Sequence, residues 1–175
     1  AFPGVNDRAD EFFKPLDIAG YNYSPPRYVS DRKRIPGRPI VGTESFPKDS
    51  FQMWDLVWNN DFVLGDFIWT MYDYIGESDI GMESESGDVD QCSQEPFPWH
   101  ISFCGDIDNA GHQKPQAYYR KVLWGVSPIE IGVHIPRAEG KQEAVGGWGW
   151  IEERQSWTWD TPQWKAGMAA SGGKL

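Results

Sequence analysis

Three short apolar runs, Leu16 to Tyr23, Pro39 to Glu44 and Phe62 to Tyr74, each end in polar or aromatic residues, and this recurrence constrains the fold more than any other feature. After the second run, Asp49-Ser50 offers a helix N-cap. Phe51, Trp54, Val57 and Trp58 then recur at helical spacing until Asn59-Asn60 closes the segment. Strand, loop, helix and strand in that order predict a parallel α/β arrangement. The middle run sits in Arg38-Pro39-Ile40-Val41-Gly42-Thr43-Glu44-Ser45-Phe46-Pro47 and delivers one carboxylate, Glu44, at its C-terminal end. In a barrel of alternating strands and helices the active-site groups lie at the strand C-termini, which makes Glu44 a catalytic candidate. The alternative is a first-turn glutamate favoured by the dipole of the helix that follows.

A closed eightfold barrel needs about 250 residues. This chain has 175 and shows about three strand-helix units, so it either supplies part of a barrel or folds in some other way. From Gly76 to Pro98 the sequence is polar and acidic without either period, which predicts a long loop of the kind that often binds ligands or forms lids. Ile101 to Ile107 reads as a short strand or turn. Lys114 to Trp124 reads as a helix with Pro115 in its first turn and Gly125 at its end. Beyond Pro128 the period shortens to two in Ile129 to Ile135, Gly146 to Trp150 and Ser156 to Trp159, the pattern of extended chain. The Gly-rich tail Met168 to Leu175 is expected to be disordered.

Charge narrows the function classes. A formal charge of −10, with the only basic cluster at Arg32-Lys33-Arg34, argues against a nucleic-acid or anionic-membrane partner, both of which need a positive field. That cluster lies between Pro26 and Pro36 and is expected to be a solvated loop. No apolar run approaches the roughly 20 residues that span a bilayer, so no membrane-spanning helix is expected. Ala1-Phe2-Pro3-Gly4 carries neither an initiator Met nor a signal-peptide pattern. Cys92 and Cys104 could pair or stay reduced, which leaves the compartment open. His100, His112 and His134 are far apart and form no ligand motif, so neither a zinc site nor another cofactor is expected. The 10 Trp, 7 Tyr and 9 Phe are many for this length and fit sugar-stacking platforms or a Trp-rich core equally well.

Four landmarks in order carry a resemblance to a known family. Leu16-Asp17-Ile18-Ala19-Gly20-Tyr21-Asn22-Tyr23, Arg38 to Pro47, Gly65-Asp66-Phe67-Ile68-Trp69-Thr70-Met71-Tyr72-Asp73-Tyr74 and Gly105-Asp106-Ile107-Asp108-Asn109-Ala110-Gly111-His112-Gln113-Lys114-Pro115 resemble family 2 glycoside hydrolases of the bacterial β-galactosidase-like group. They correspond to the sixth, seventh and eighth barrel strands and the turn into the last helix. The resemblance implies the C-terminal strand-helix units of an incomplete (β/α)8 TIM barrel over residues 1–126. Residues 127–175 would form an extended Trp-rich segment leading toward a β-sandwich domain.

By the same resemblance the protein is part of a retaining exo-β-glycosidase that hydrolyses terminal β-galactosides through two carboxylates about 5 to 5.5 Å apart. Glu44 would be the nucleophile and Tyr23 the residue that orients it. Trp69, Asn22, Asp73, Trp99 and His100 would bind substrate, with Asp73 either orienting loop backbone or meeting a sugar hydroxyl. The family's acid/base glutamate lies upstream in an Asn-Glu pair, and no Asn-Glu occurs here; Glu95, in Gln94-Glu95-Pro96, lies after the eighth strand and reads as a solvated loop residue. The chain alone should therefore be nearly inactive. Its expected partners are a β-linked oligosaccharide or glycoside and the remaining segments of the same enzyme. Alone, its exposed strand edges favour a homo-oligomer. Two alternatives are a β-glucuronidase or β-mannosidase of the same family, the former disfavoured by the absence of Asn-x-Lys, and a non-catalytic carbohydrate-binding module.

Overall fold

The structure, a computed structural model, describes residues 8–75, 80, 83–84, 101–134, 144–145, 147–150 and 153–154. The chain forms two compact units, Ala1–Met71 and Tyr72–Leu175. In the first, the element order is α1 (Arg8–Phe13), β1 (Ala19–Asn22), α2 (Tyr28–Arg34), β2 (Ile40–Ser45), α3 (Ser50–Asn59) and β3 (Val63–Ile68). The strands form a three-stranded parallel sheet in the order β1-β2-β3, as the sequence predicts.

Alternation along these strands sorts their side chains between two faces. Ala19 and Tyr21 of β1, Ile40 of β2 and Val63 of β3 are buried in one core with Phe13, Tyr28 and Met53, against which Leu56, Val57 and Phe62 pack. Tyr21 holds both flanking helices to the sheet, its ring 5.2 Å from Phe13 and 5.4 Å from Tyr28. Gly42 is required on this face. A Cβ there would stand 2.9 Å from Met53 Cε and 3.0 Å from the Tyr28 hydroxyl, and closer still to Asp66 Oδ1.

Helix α3 runs Ser50–Asn59 with Asp49 at its N-cap, as expected, but its aromatic residues are not its core side. Met53 points inward, while Phe51 and Trp58 are exposed and stack along the helix with Trp54.

The basic cluster corrects an expectation. Arg32, Lys33 and Arg34 do not lie in a solvated loop; they form the last turn of α2. Its acidic partners explain why. Asp31 is buried, accepts a 2.8 Å hydrogen bond from the Tyr21 hydroxyl and pairs with Arg27 at 3.1 Å and Arg34 at 3.2 Å. Arg34 and Arg38 both reach back to Asp10 of α1. Burial, and then the hydrogen bond to the Asp31 carboxylate, push the Tyr21 phenol up to about 12.

In the second unit, β4 (Tyr74–Ile75) pairs antiparallel with β6 (Ile101–Ser102), and β5 (Glu83–Ser84) with β8 (Ala144–Val145). α4 (Pro115–Leu123) begins on Pro115 and ends before Gly125, whose φ of +68° only glycine adopts freely. Then β7 (Val133–His134), inside the Ile129 to Ile135 run whose period of two predicts extended chain, pairs antiparallel with β9 (Glu153–Arg154), which lies outside the predicted runs; in the Gly146 to Trp150 run, Gly147 and Trp148 form a turn instead. Trp150 packs on Tyr119 of α4 at 5.5 Å. Cys104 is a buried free thiol pushed up to about 11 by its burial. Most of the expected acidic loop, with Cys92 and Glu95, lies outside the described residues, as do Ser156 to Trp159 and the Gly-rich tail. Among the described residues no helix is long and apolar enough to cross a membrane.

Candidate active site

The C-terminal ends of β1, β2 and β3 bring Asn22, Tyr23, Glu44 and Trp69 to one edge of the first unit's sheet. β2 lies in the middle, and Glu44 occupies its penultimate position. Its register partner on β1 is Asn22, just past an irregularity between Tyr21 and Asn22. Tyr23 continues the pairing, its backbone N–H donating 2.9 Å to the Glu44 carbonyl. On the other side, the Trp69 N–H donates 3.0 Å to the Ser45 carbonyl. Backbone hydrogen bonds thus tie the end of β2 to both neighbours, at Glu44 on one side and at Ser45 on the other.

Side chains fix these ends further. Ser45 is buried and its hydroxyl donates 2.7 Å to Asp66 Oδ2, joining the ends of β2 and β3. The Tyr23 ring lies 4.3 Å from the Phe46 ring, and Lys48 Nζ stands 5.3 Å from the centre of the Phe46 ring. Tyr23 has φ of +50°, a left-handed conformation uncommon for any residue but glycine and a recurrent feature of functional sites. The Trp69–Thr70 peptide bond is cis. Glu44 itself is half-buried, neither withdrawn into the core nor fully solvated.

Asp73 lies in the second unit, where its contacts form a site of their own. Its carboxylate is buried; Oδ1 accepts 2.8 Å from the Gly105 N–H and 2.7 Å from Lys114 Nζ, and the ammonium also donates 2.5 Å to the Phe103 carbonyl. Gly105 lies directly against the Tyr72-Asp73 backbone, where any Cβ would clash.

The rest of the Gly105 to Pro115 motif also has a structural use. Asp106 takes a two-point ion pair from Arg120, at 2.8 Å and 3.3 Å, and Gln116 Nε2 donates 2.7 Å to the Gly105 carbonyl. Asp108 accepts from the backbone N–H groups of His112 and Ala110, both at 2.8 Å, which closes a turn around Gly111. Those bonds, that from His112 first, hold the Asp108 carboxyl below the ordinary carboxylate range.

Trp99 and His100 lie outside the described residues. Three residues at these sites were not singled out from the sequence. Phe46 backs the Tyr23 ring, Thr43 bonds Asn22, and Lys114 holds Asp73. A signal for Thr43 exists only once register is known, because its contact is on the neighbouring strand.

No family model matches the chain. A curated relative, Beta-galactosidase BoGH2A of Bacteroides ovatus, is 23% identical over 155 residues, which cover 62% of this chain and 16% of that protein. A solved structure of a glycosyl hydrolase family 2 member from Bacteroides cellulosilyticus matches with a TM-score of 0.70 and 33% identity, covering 89% of this chain and 20% of its own. A second family 2 structure from the same species matches with a TM-score of 0.53 and 36% identity, covering 69% of this chain and 13% of its own. The chain thus spans about a fifth or less of the length of each of these proteins. In sequence and in fold together, the chain resembles a segment of glycoside hydrolase family 2.

Proposed function

We propose that this chain supplies the last strand-helix units of a (β/α)8 barrel to a retaining exo-β-glycosidase that hydrolyses terminal β-galactosides, with Glu44 as its nucleophile. In this reading residues 1–126 belong to the barrel and 127–175 lead toward an accessory β-domain. One observation carries the reading: Glu44 leaves the central strand of a parallel sheet with Tyr23 at the end of one neighbour and Trp69 at the end of the other. Active-site groups of strand-helix barrels collect at this end of the sheet. Among the described residues β1 and β3 have no further strand beside them, in keeping with a sheet that other segments continue. The choice of galactoside follows the name of the curated relative.

Each residue then has a task. The Glu44 carboxylate attacks the anomeric carbon as the bond to the leaving oxygen breaks, and that oxygen takes a proton from a second carboxylic acid. Water then attacks the same carbon, gives its proton to the second carboxylate and frees Glu44. The second carboxylate comes from outside these residues, so the chain alone lacks a contribution on the order of 10² to 10⁴ in rate. Tyr23 orients Glu44 by donating a hydrogen bond to it. Trp69 offers a flat apolar face to the C–H side of the sugar ring. Asn22, Trp99 and His100 complete the sugar subsite. Asp73 orients backbone, the role its bonds to Gly105 and Lys114 favour over contact with a sugar hydroxyl.

Glu44→Gln in the full-length enzyme tests the assignment. The substitution keeps the side chain's size and removes its nucleophilicity. Turnover of a nitrophenyl β-galactoside should fall on the order of 10⁴-fold or more, the scale seen when a covalent catalyst loses its nucleophile, while galactose still binds in calorimetry. Turnover within a few-fold of the unmodified enzyme would rule Glu44 out. A binding module predicts that outcome.

A further inference from the structure

Beside Glu44, three residues on neighbouring strands interlock in a way the glycosidase reading does not use. Gly20 of β1 faces Thr43 of β2, and a Cβ on Gly20 would stand only 2.7 Å from Thr43 Cγ2 and 3.3 Å from Oγ1. The missing side chain is what seats the threonine methyl. A β-branched side chain has few χ1 choices, so seating the methyl also aims the hydroxyl. Thr43 Oγ1 donates 2.6 Å to Asn22 Oδ1. The Asn22 backbone is tied as well, its carbonyl accepting 2.9 Å from the Ser24 hydroxyl, and the next residue's N–H is bonded to Glu44.

An amide whose oxygen is occupied has only donors left to offer. Among the described residues the Asn22 Nδ2 group has no partner, and Asn22 is the register partner of Glu44. We propose that Thr43 is a positioning residue that sets the direction of the Asn22 amide, so that Nδ2 donates to an acceptor oxygen of a sugar bound at Glu44. The inference rests on the reading of the Glu44 site given above. It adds to that reading the polarity of one subsite, which accepts a hydroxyl or ring oxygen as hydrogen-bond acceptor. It also names the two residues, Gly20 and Thr43, that enforce this polarity.

Thr43→Val keeps the seated shape and removes the hydroxyl; Thr43→Ser keeps the hydroxyl. The full-length enzyme and both variants are assayed on nitrophenyl β-galactoside and on its singly deoxygenated analogues, alongside Asn22→Ala and the double variant with Thr43→Val. An amide free to turn should lose roughly three- to tenfold in kcat/KM, the range for one ordinary hydrogen bond, and Thr43→Ser should recover most of it. In the Asn22→Ala background, Thr43→Val should change nothing further. One deoxygenated substrate should be insensitive to both substitutions. If Thr43→Val does not yield folded enzyme, Thr43→Ala enters the same cycle with the same expectation.

A Thr43→Val enzyme equal to the unmodified one, or Thr43 and Asn22 effects that simply add, would overturn the proposal and leave the Glu44 assignment intact. Trapping with a 2-deoxy-2-fluoro galactoside separates the two failures. An adduct on a residue other than Glu44 removes the reading and this proposal together.

Discussion

Replacing Lys114 and Asp73 in turn should reveal a reversal of sign that simple loss of contacts does not produce. The Asp73 side chain is 2% exposed and that of Lys114 is 21% exposed, with 2.7 Å between them. In Lys114→Met the carboxylate stays buried with one remaining donor, the Gly105 N–H at 2.8 Å. Breaking a buried pair this way costs about 3–5 kcal/mol. In Asp73→Asn the amide oxygen can still accept from Gly105, and the ammonium, a fifth exposed, turns to water. That change removes one charge-assisted bond, about 1.5–3 kcal/mol.

The two differ in kind because only the first strands a charge. With Lys114 already replaced, the neutral amide suits the site better than the carboxylate, so Asp73→Asn should destabilise the native protein and stabilise the Lys114→Met variant. Hydrogen exchange read by mass spectrometry on peptides spanning residues 101–124 isolates this unit from the rest of the chain. Protection should drop about a hundredfold or more in Lys114→Met, less in Asp73→Asn, and recover in part in the double variant. Equal losses from Asp73→Asn in both backgrounds would refute the reasoning, since the carboxylate would then not depend on the ammonium.

Two further outcomes follow from the first unit. Gly42→Ala places a methyl against Met53, Tyr28 and Asp66 and disturbs the Ser45–Asp66 bond, so the chemical-denaturation midpoint should shift by an overpacking penalty of about 1–3 kcal/mol; an unchanged midpoint contradicts the packing described. Tyr21, raised to about 12 by burial, is neutral in the fold at pH values where an unfolded tyrosine ionises near 10. Its contribution is complete below pH 10 and is lost as pH rises toward 12. Alkaline absorbance titration should show fewer late-ionising tyrosines in Tyr21→Phe; an identical curve would contradict the burial.

The strands that carry the candidate site were readable because their patterns are local. Ile40-Val41 runs into Glu44 with prolines on both sides, and Asp49-Ser50 marks the start of α3 to the residue. Helix α2 was not readable, because only Tyr28 and Asp31 of its residues are buried and neither makes an apolar stripe. Its basic turn is held by the local partner Asp31 and by Asp10, which lies 24 positions before Arg34 and has no local signature. Lys114 likewise looked like half of a Lys-Pro helix start until its partner, 41 residues away, came into contact. Thr43 and Asn22 became a pair only through the register of two parallel strands, which composition and period leave undetermined. The α3 aromatics misled in the opposite direction. Their helical spacing marks the helix, yet Met53, a single flexible side chain, fills the core.

The central claim is that Glu44 forms the covalent bond to the sugar, and trapping that bond tests it most directly. The full-length enzyme is incubated with a 2-deoxy-2-fluoro β-galactoside bearing a good leaving group, digested, and its peptides are sequenced by tandem mass spectrometry. The account predicts one adduct, one fluorosugar heavier than the peptide, on Glu44 of Thr43-Glu44-Ser45 and its loss in Glu44→Gln. An adduct on any other carboxylate, or rapid inactivation of the Glu44→Gln enzyme by the same reagent, would contradict it.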